Sequence, residues 1–84
     1  MIHVRYFASL RERIGRDEEH IELPAGVDTL GALVAHLSAR GSPWREALEA
    51  TPRLMMARNH TLARAETEIS DGDEIGLFPP VTGG

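Results

Sequence analysis

The chain has 84 residues, a formal net charge of −4 at pH 7 and no cysteine. A chain of that length forms one small domain that buries roughly 60% of its unfolded surface, which leaves little room for an enclosed active site. Lack of cysteine excludes disulfides and thiolate chemistry, and the acidic balance argues against a nucleic-acid partner. A hydrophobic content of 42% without low-complexity sequence indicates an ordered globular domain. No apolar run approaches the roughly 20 residues that span a bilayer. Met1 leads straight into a strand pattern, so a soluble cytoplasmic protein with no membrane partner is expected. The four histidines, His3, His20, His36 and His60, show no ligand spacing and read as surface residues, with no metal site. All nine basic residues are arginine, and there is no lysine.

Ile2, Val4, Tyr6 and Ala8 alternate with His3, Arg5, Phe7 and Ser9, the period of a strand with one apolar face. Phe7 is a large aromatic on the polar face. Ser9 and Glu12 have the spacing of a capping box, Leu10 and Ile14 stack at i and i+4, and Gly15 is a stop, which predicts a single helical turn or little more. Glu18 to Leu23 reads as a second strand with Ile21 and Leu23 inward. Asp28 or Thr29 caps the main helix, whose apolar stripe is Leu30, Leu33, Val34 and Leu37. Arg40 suits its last turn and Gly41 its C′ position. Ser42 and Pro43 read as N-cap and N1 of a short helix bearing Trp44, Ala47 and Leu48.

Leu54 to Asn59 gives a third strand, followed by a turn and a brief segment around Leu62. Ser70-Asp71-Gly72-Asp73 is turn chemistry. Glu74 to Phe78 is the last long strand, with Ile75 and Leu77 on one face and Glu74, Gly76 and Phe78 on the other. Pro79-Pro80 ends it. The order β-β-α-β-β-β around one main helix predicts an α+β fold of the ubiquitin-like β-grasp type. In it a mixed four- to five-stranded sheet packs on that helix. The domain is placed at residues 1–79 and an extended tail at 80–84.

The run Phe78-Pro79-Pro80-Val81-Thr82-Gly83-Gly84 is an arm: a strand, a stiff proline pair, then two residues without side chains. Gly83-Gly84 can thread a channel too narrow for other dipeptides. The Gly84 carboxylate is ionised at neutral pH and a poor electrophile, so its chemistry requires activation, most simply as an acyl-adenylate made from ATP. A frayed terminus is the bland alternative for Gly-Gly alone. The proline brace after an apolar strand speaks against it.

The run Asp71 to Gly84 closely resembles the ending of the MoaD family, the small subunit of molybdopterin synthase, a sulfur carrier related to ThiS. Ile2-His3-Val4-Arg5-Tyr6-Phe7-Ala8, Leu10-Arg11-Glu12, Gly15 and Asn59-His60-Thr61-Leu62 resemble that family too. The resemblance implies that a ubiquitin-activating-like adenylyltransferase uses ATP on Gly84 and that no cofactor is bound. Gly84 then becomes a thiocarboxylate and gives sulfur to cyclic pyranopterin monophosphate to form the molybdopterin dithiolene. The chain is thus no enzyme on its own but the sulfur-donor subunit of a sulfurtransferase. The resemblance also implies a heterotetramer with the molybdopterin synthase large subunit, whose active site receives Pro80, Val81, Thr82 and Gly83. Phe7, Leu62 and Phe78 match the apolar partner contact, and Arg11 matches an ion-pairing position. Arg58 departs from the family, which has an apolar residue there, and must lie at an edge, snorkel or be paired. Carriers for thiazole formation or other thiolation, and ubiquitin-like modifiers, remain as alternatives.

Overall fold

The computed structural model describes residues 1–80. The alternation of Ile2, Val4 and Tyr6 forms β1 (Ile2–Tyr6), and the same period in Ile75 and Leu77 forms β5 (Glu74–Phe78). These five apolar side chains are buried on one face of the sheet. Between them lie α1 (Ala8–Ile14), β2 (Glu18–Ile21), α2 (Leu30–Ser38), α3 (Trp44–Glu49), β3 (Met55–Arg58) and β4 (Thr61–Ala63). The sheet order is β2-β1-β5-β3-β4. β1 and β5 pair in parallel and every other neighbour is antiparallel, so the sheet is mixed and five-stranded as expected.

The stripe Leu30, Leu33 and Leu37 of α2 is fully buried, with Val34 packed partly against the core. Thr29 is the cap of that helix: its hydroxyl accepts a hydrogen bond from the Ala32 N–H at 3.2 Å. Leu10 and Ile14 of α1 and Ala47 of α3 complete the core from the helical side. Gly15 ends α1 at φ +86° and donates its N–H to the Arg11 carbonyl, as the stop signal required.

Several sequence expectations are corrected. Ser9 caps nothing: α1 starts at Ala8, with Phe7 as its N-cap and no side-chain capping bond. Phe7 still donates its N–H to Leu77 across the sheet, and Ala8 turns the chain at φ 53°, so the helix begins before Ser9 is reached. Phe7 therefore stands one residue past the strand assigned to it. Pro43, not Ser42, is the N-cap of α3, and the Ser42 hydroxyl instead donates to Glu46 Oε1 at 2.8 Å. The second strand stops at Ile21 because its partner strand starts at Ile2, and the third is Met55–Arg58. Arg40 lies just beyond α2. After Pro80 the tail placed at residues 80–84 lies outside the described residues.

Arg58 is neither at an edge nor snorkelling free. β3 lies between β5 and β4, and Arg58 Nε donates to Asp73 Oδ2 at 2.7 Å. Asp73 is buried and also accepts from the Asn59 amide at 3.1 Å and from the Ser70 N–H at 2.8 Å. One carboxylate thus ties the end of β3 to the turn that starts β5. Arg58's hydrogen bond holds the Asp73 carboxyl below its usual range; burial opposes this, while Ser70, Asn59 and the Arg58 charge reinforce it.

A second polar cluster lies under the helices. The buried Tyr6 hydroxyl donates to Glu19 Oε2 at 2.6 Å, and Arg40 donates to Glu19 Oε1 at 2.8 Å. Burial and the neighbouring Glu19 push the Tyr6 hydroxyl well above its ordinary value. Burial acts to raise Glu19, but the hydrogen bonds from Tyr6 and Arg40 and the charges of Arg40 and Arg16 outweigh it and lower it. The guanidinium of Arg16 lies 5.4 Å from the centroid of the Trp44 ring and that of Arg40 lies 4.7 Å from it.

Replacing Asp73 by Asn leaves three donors short of a charged acceptor and is expected to cost about 1–3 kcal/mol in urea unfolding. Asp73 and Glu19 are both depressed when folded. Their contribution is complete above the unfolded carboxylate range near about pH 4 and is lost as pH falls through the folded values. The stability of Asp73→Asn should accordingly fall less between pH 5 and 2 than that of the parent chain; parallel acid curves would contradict the assignment.

Candidate functional site: the outer face of the sheet

The face opposite the helices is set by strand register. Arg5, Gly76, Ala57 and Leu62 stand opposite one another across β1, β5, β3 and β4, forming one row on the outer face. Phe7 keeps extended backbone (φ −125°, ψ 155°), so its side chain continues the alternation of β1 onto this face. Phe78 reaches the same face by the alternation of β5.

The two rings meet edge to face, centroids 6.4 Å apart and planes at 83°, a geometry worth about 0.5–1.5 kcal/mol beyond burial. Gly76 makes this arrangement possible. A Cβ there would stand 3.3 Å from Phe7 Cε2, so the bare backbone is the bed on which the ring lies. The Arg5 guanidinium lies 5.5 Å from the Phe7 centroid and 3.9 Å from Glu74. Together these groups line an open concavity of about 650 Å³. Its floor is Gly76 and Ala57, its aromatic walls are Phe7 and Phe78, and Pro79 and Pro80 close the end where β5 leaves the domain. Arg5, Glu74 and His60 form the polar margin towards the start of β5.

The turn between β3 and β4 holds two consecutive residues at positive φ, Asn59 at 49° and His60 at 69°. Asn59 is kept there by its amide, whose oxygen accepts from the Glu74 N–H at 2.9 Å. His60 follows onto the margin, Nε2 3.3 Å from Glu74 Oε2.

Of the residues singled out from sequence, Phe7, Phe78 and Pro80 are brought together around the concavity. Phe7 remains 39% exposed, a large aromatic available for contact. Leu62 is 65% exposed on the same face but lies outside the lining, bordering a separate hollow beside Asn59 and Thr67. Arg11 is exposed on α1, away from the lining. Val81, Thr82, Gly83 and Gly84 lie outside the described residues. Sequence reasoning missed Arg5, Ala57, His60 and Glu74 as parts of the site. The strand parity that selected Phe78 also selected Glu74 and Gly76, so the floor was within reach of that signal. Among the described residues, no group of three or more His, Asp or Glu side chains is arranged to hold a metal ion, and no helix is long and apolar enough to cross a membrane.

A model of the ThiS family matches residues 4–84. The chain belongs to the ThiS family. This ThiS-family chain is 43% identical to the molybdopterin synthase sulfur carrier subunit of Escherichia coli (strain K12), over 100% of both chains. Among solved structures it is similar to the small archaeal modifier protein 1 of Haloferax volcanii. The TM-score is 0.73 and the identity 26%, covering 95% of this chain and 97% of that one. It is also similar to a chain in the complex of subunits 1 and 2 of the molybdopterin-converting factor from Helicobacter pylori. There the TM-score is 0.64 and the identity 28%, over 99% of this chain and 97% of that one. These likenesses bear out the ubiquitin-like β-grasp and the resemblance read from the sequence.

If Gly76 is the bed of the Phe7 ring, Gly76→Val should lift that ring off β5. Loss of the Phe7–Phe78 ring contacts in NMR, with a stability change of about 1–3 kcal/mol, is the expected result; unchanged ring contacts would refute it.

Proposed function

We propose that this chain is the sulfur-carrier subunit of a molybdopterin synthase, acting through the carboxylate of Gly84. The observation that carries the proposal is the course of β5. It is the central strand, it runs the length of the concavity, and it delivers Pro79 and Pro80 at the rim, with Val81-Thr82-Gly83-Gly84 next in sequence. A docked partner thereby meets the aromatic pair and the start of the tail together. The full-length likeness to a protein named as a molybdopterin synthase sulfur carrier subunit supports the same reading.

The chemistry follows from main-chain atoms. A Gly84 carboxylate oxygen attacks the α-phosphorus of ATP on a ubiquitin-activating-like adenylyltransferase, and pyrophosphate leaves. A donor of reduced sulfur attacks the acyl carbon; a C–S bond forms, the C–O bond to AMP breaks, and a thiocarboxylate results. Its sulfur then attacks an electrophilic carbon of cyclic pyranopterin monophosphate in the large subunit. Water takes the acyl carbon, the acyl C–S bond breaks, and the carboxylate returns for recharging. Two such transfers build one dithiolene. The carrier catalyses nothing alone, binds no cofactor of its own, and works in the cytoplasm, where ATP is at hand. Partner contact falls to Phe7, Phe78 and Leu62, with Arg11 as a peripheral ion-pairing residue.

Reconstitution tests the proposal. The Gly84 thiocarboxylate is combined with the large subunit and cyclic precursor, and dithiolene product is followed beside the intact mass of the carrier. Product with matching exchange of sulfur for oxygen is expected. A thiocarboxylate that persists beside a competent large subunit would overturn the molybdopterin assignment. Lysine conjugates formed with a cellular extract would instead favour protein modification, the reading prompted by the modifier likeness. Phe7→Asp should weaken large-subunit binding at least ~10-fold while the thermal unfolding transition persists; unchanged affinity would remove Phe7 from the interface.

A further inference from the structure

Among the described residues, left-handed backbone occurs at four glycines, Gly15, Gly26, Gly41 and Gly72, and at three residues with side chains, Ala8 (φ 53°), Asn59 (49°) and His60 (69°). That conformation crowds a Cβ against the main chain. Glycine takes it freely, asparagine and histidine tolerate it, and alanine has nothing to offset it. The division follows position. None of the four glycines lines the concavity, whereas Ala8 and His60 both do. An added Cβ at any of the four would meet no atom within 4 Å, so only the backbone angle favours glycine there.

Asn59 is accounted for inside the domain, since its amide accepts from the Glu74 N–H and donates to Asp73. Ala8 and His60 have no comparable duty. Ala8 is exposed and lies outside the core. The His60 side chain is 77% exposed, and its contact with Glu74 at 3.3 Å is open to water. Arg58 pairs with Thr61, so Asn59 and His60 are the two residues of a tight hairpin turn, where Asn-Gly is the preferred pair. Glycine would serve the chain path better at both positions. The two stand at opposite ends of the floor. The Phe7 N–H donates to Leu77 and sets Ala8 beside the end of β5, while the Asn59 N–H donates to Glu74 and sets His60 beside its start. About 10 Å of extended strand lies between those points.

We infer that Ala8 and His60 are direct contacts of the large subunit, a methyl group and an imidazole ring kept at the two ends of the docking face although glycine at either would stabilise the free chain. The inference rests on the partner assignment above. Left-handed residues with side chains persist where the side chain has work outside the fold, and stability is then lost for the sake of contact. A partner segment seated on Phe7 and running along β5 towards Glu74 meets both groups.

The test pairs thermal unfolding of the intact chain with calorimetric titration of the large subunit. Ala8→Gly and His60→Gly should each raise the melting temperature by about 2–4 °C. Each should also weaken binding, ~4-fold for the lost methyl and ~10-fold for the lost ring. His60→Asn keeps a residue that tolerates left-handed backbone and should weaken binding as His60→Gly does, which assigns the loss to the ring and not to a looser turn. NMR contacts between the Phe7 and Phe78 rings should persist in Ala8→Gly, which separates its effect from that of Phe7. Parent-like affinity or a lowered melting temperature in either glycine variant, or loss of those ring contacts, would overturn the inference and leave the partner assignment standing. A parent chain that does not bind the large subunit would overturn both.

Discussion

The parallel pairing of β1 with β5 is the constraint on which this molecule depends. It joins residues about seventy positions apart, His3 to Glu74 and Tyr6 to Leu77, and puts both strands at the middle of the sheet. Every core layer is referred to it, because Ile2, Val4, Tyr6, Ile75 and Leu77 form the surface on which α2 lies. The outer face is referred to it as well. Phe7 can rest on Gly76 only because the register of these two strands sets the ring beside that glycine. Non-local pairing of this kind yields no contact energy until a long loop has closed, so local devices are needed to make the closure worthwhile.

Asp73 is one such device. It sits at the mouth of β5, its backbone carbonyl accepts from the His3 N–H, and its side chain gathers Arg58, Asn59 and Ser70. A single residue therefore fixes where β5 begins relative to both neighbouring strands, through its carboxylate on the β3 side and its backbone carbonyl on the β1 side. Glu19 does similar work at the β2 edge, where it joins that strand to Tyr6 of β1 and to Arg40 beyond α2. The two clusters tie the sheet at β2 and at the junction of β3 with β5.

Much of this was legible in the residues. Period-two alternation located β1 and β5, the i, i+3, i+4, i+7 stripe located α2, and of the two cap candidates Asp28 and Thr29 the structure uses Thr29. Phe7 and Phe78 stood out because parity placed aromatics where polar residues belong. The start of α1 was misread for a physical reason. The capping spacing at Ser9 is a local preference, and it yielded to a cross-sheet hydrogen bond from Phe7 to Leu77 that no local pattern contains. Arg58 looked anomalous because its partner is fifteen residues away and becomes a neighbour only when β3 pairs with β5. The tail is the reverse case, since its reading as an arm rests on residue types and the family match.

Placing the central strand last in the chain also governs how the protein is made. Until residues 74–78 have emerged from the ribosome, β1 and β3 each present an unpaired inner edge and the helices have only half a sheet to cover. A nascent chain that stops short of β5 has no stable stopping point, and its exposed edges and apolar face invite proteolysis. The sheet is therefore completed only once the strand that precedes Pro79 and Pro80 has been made.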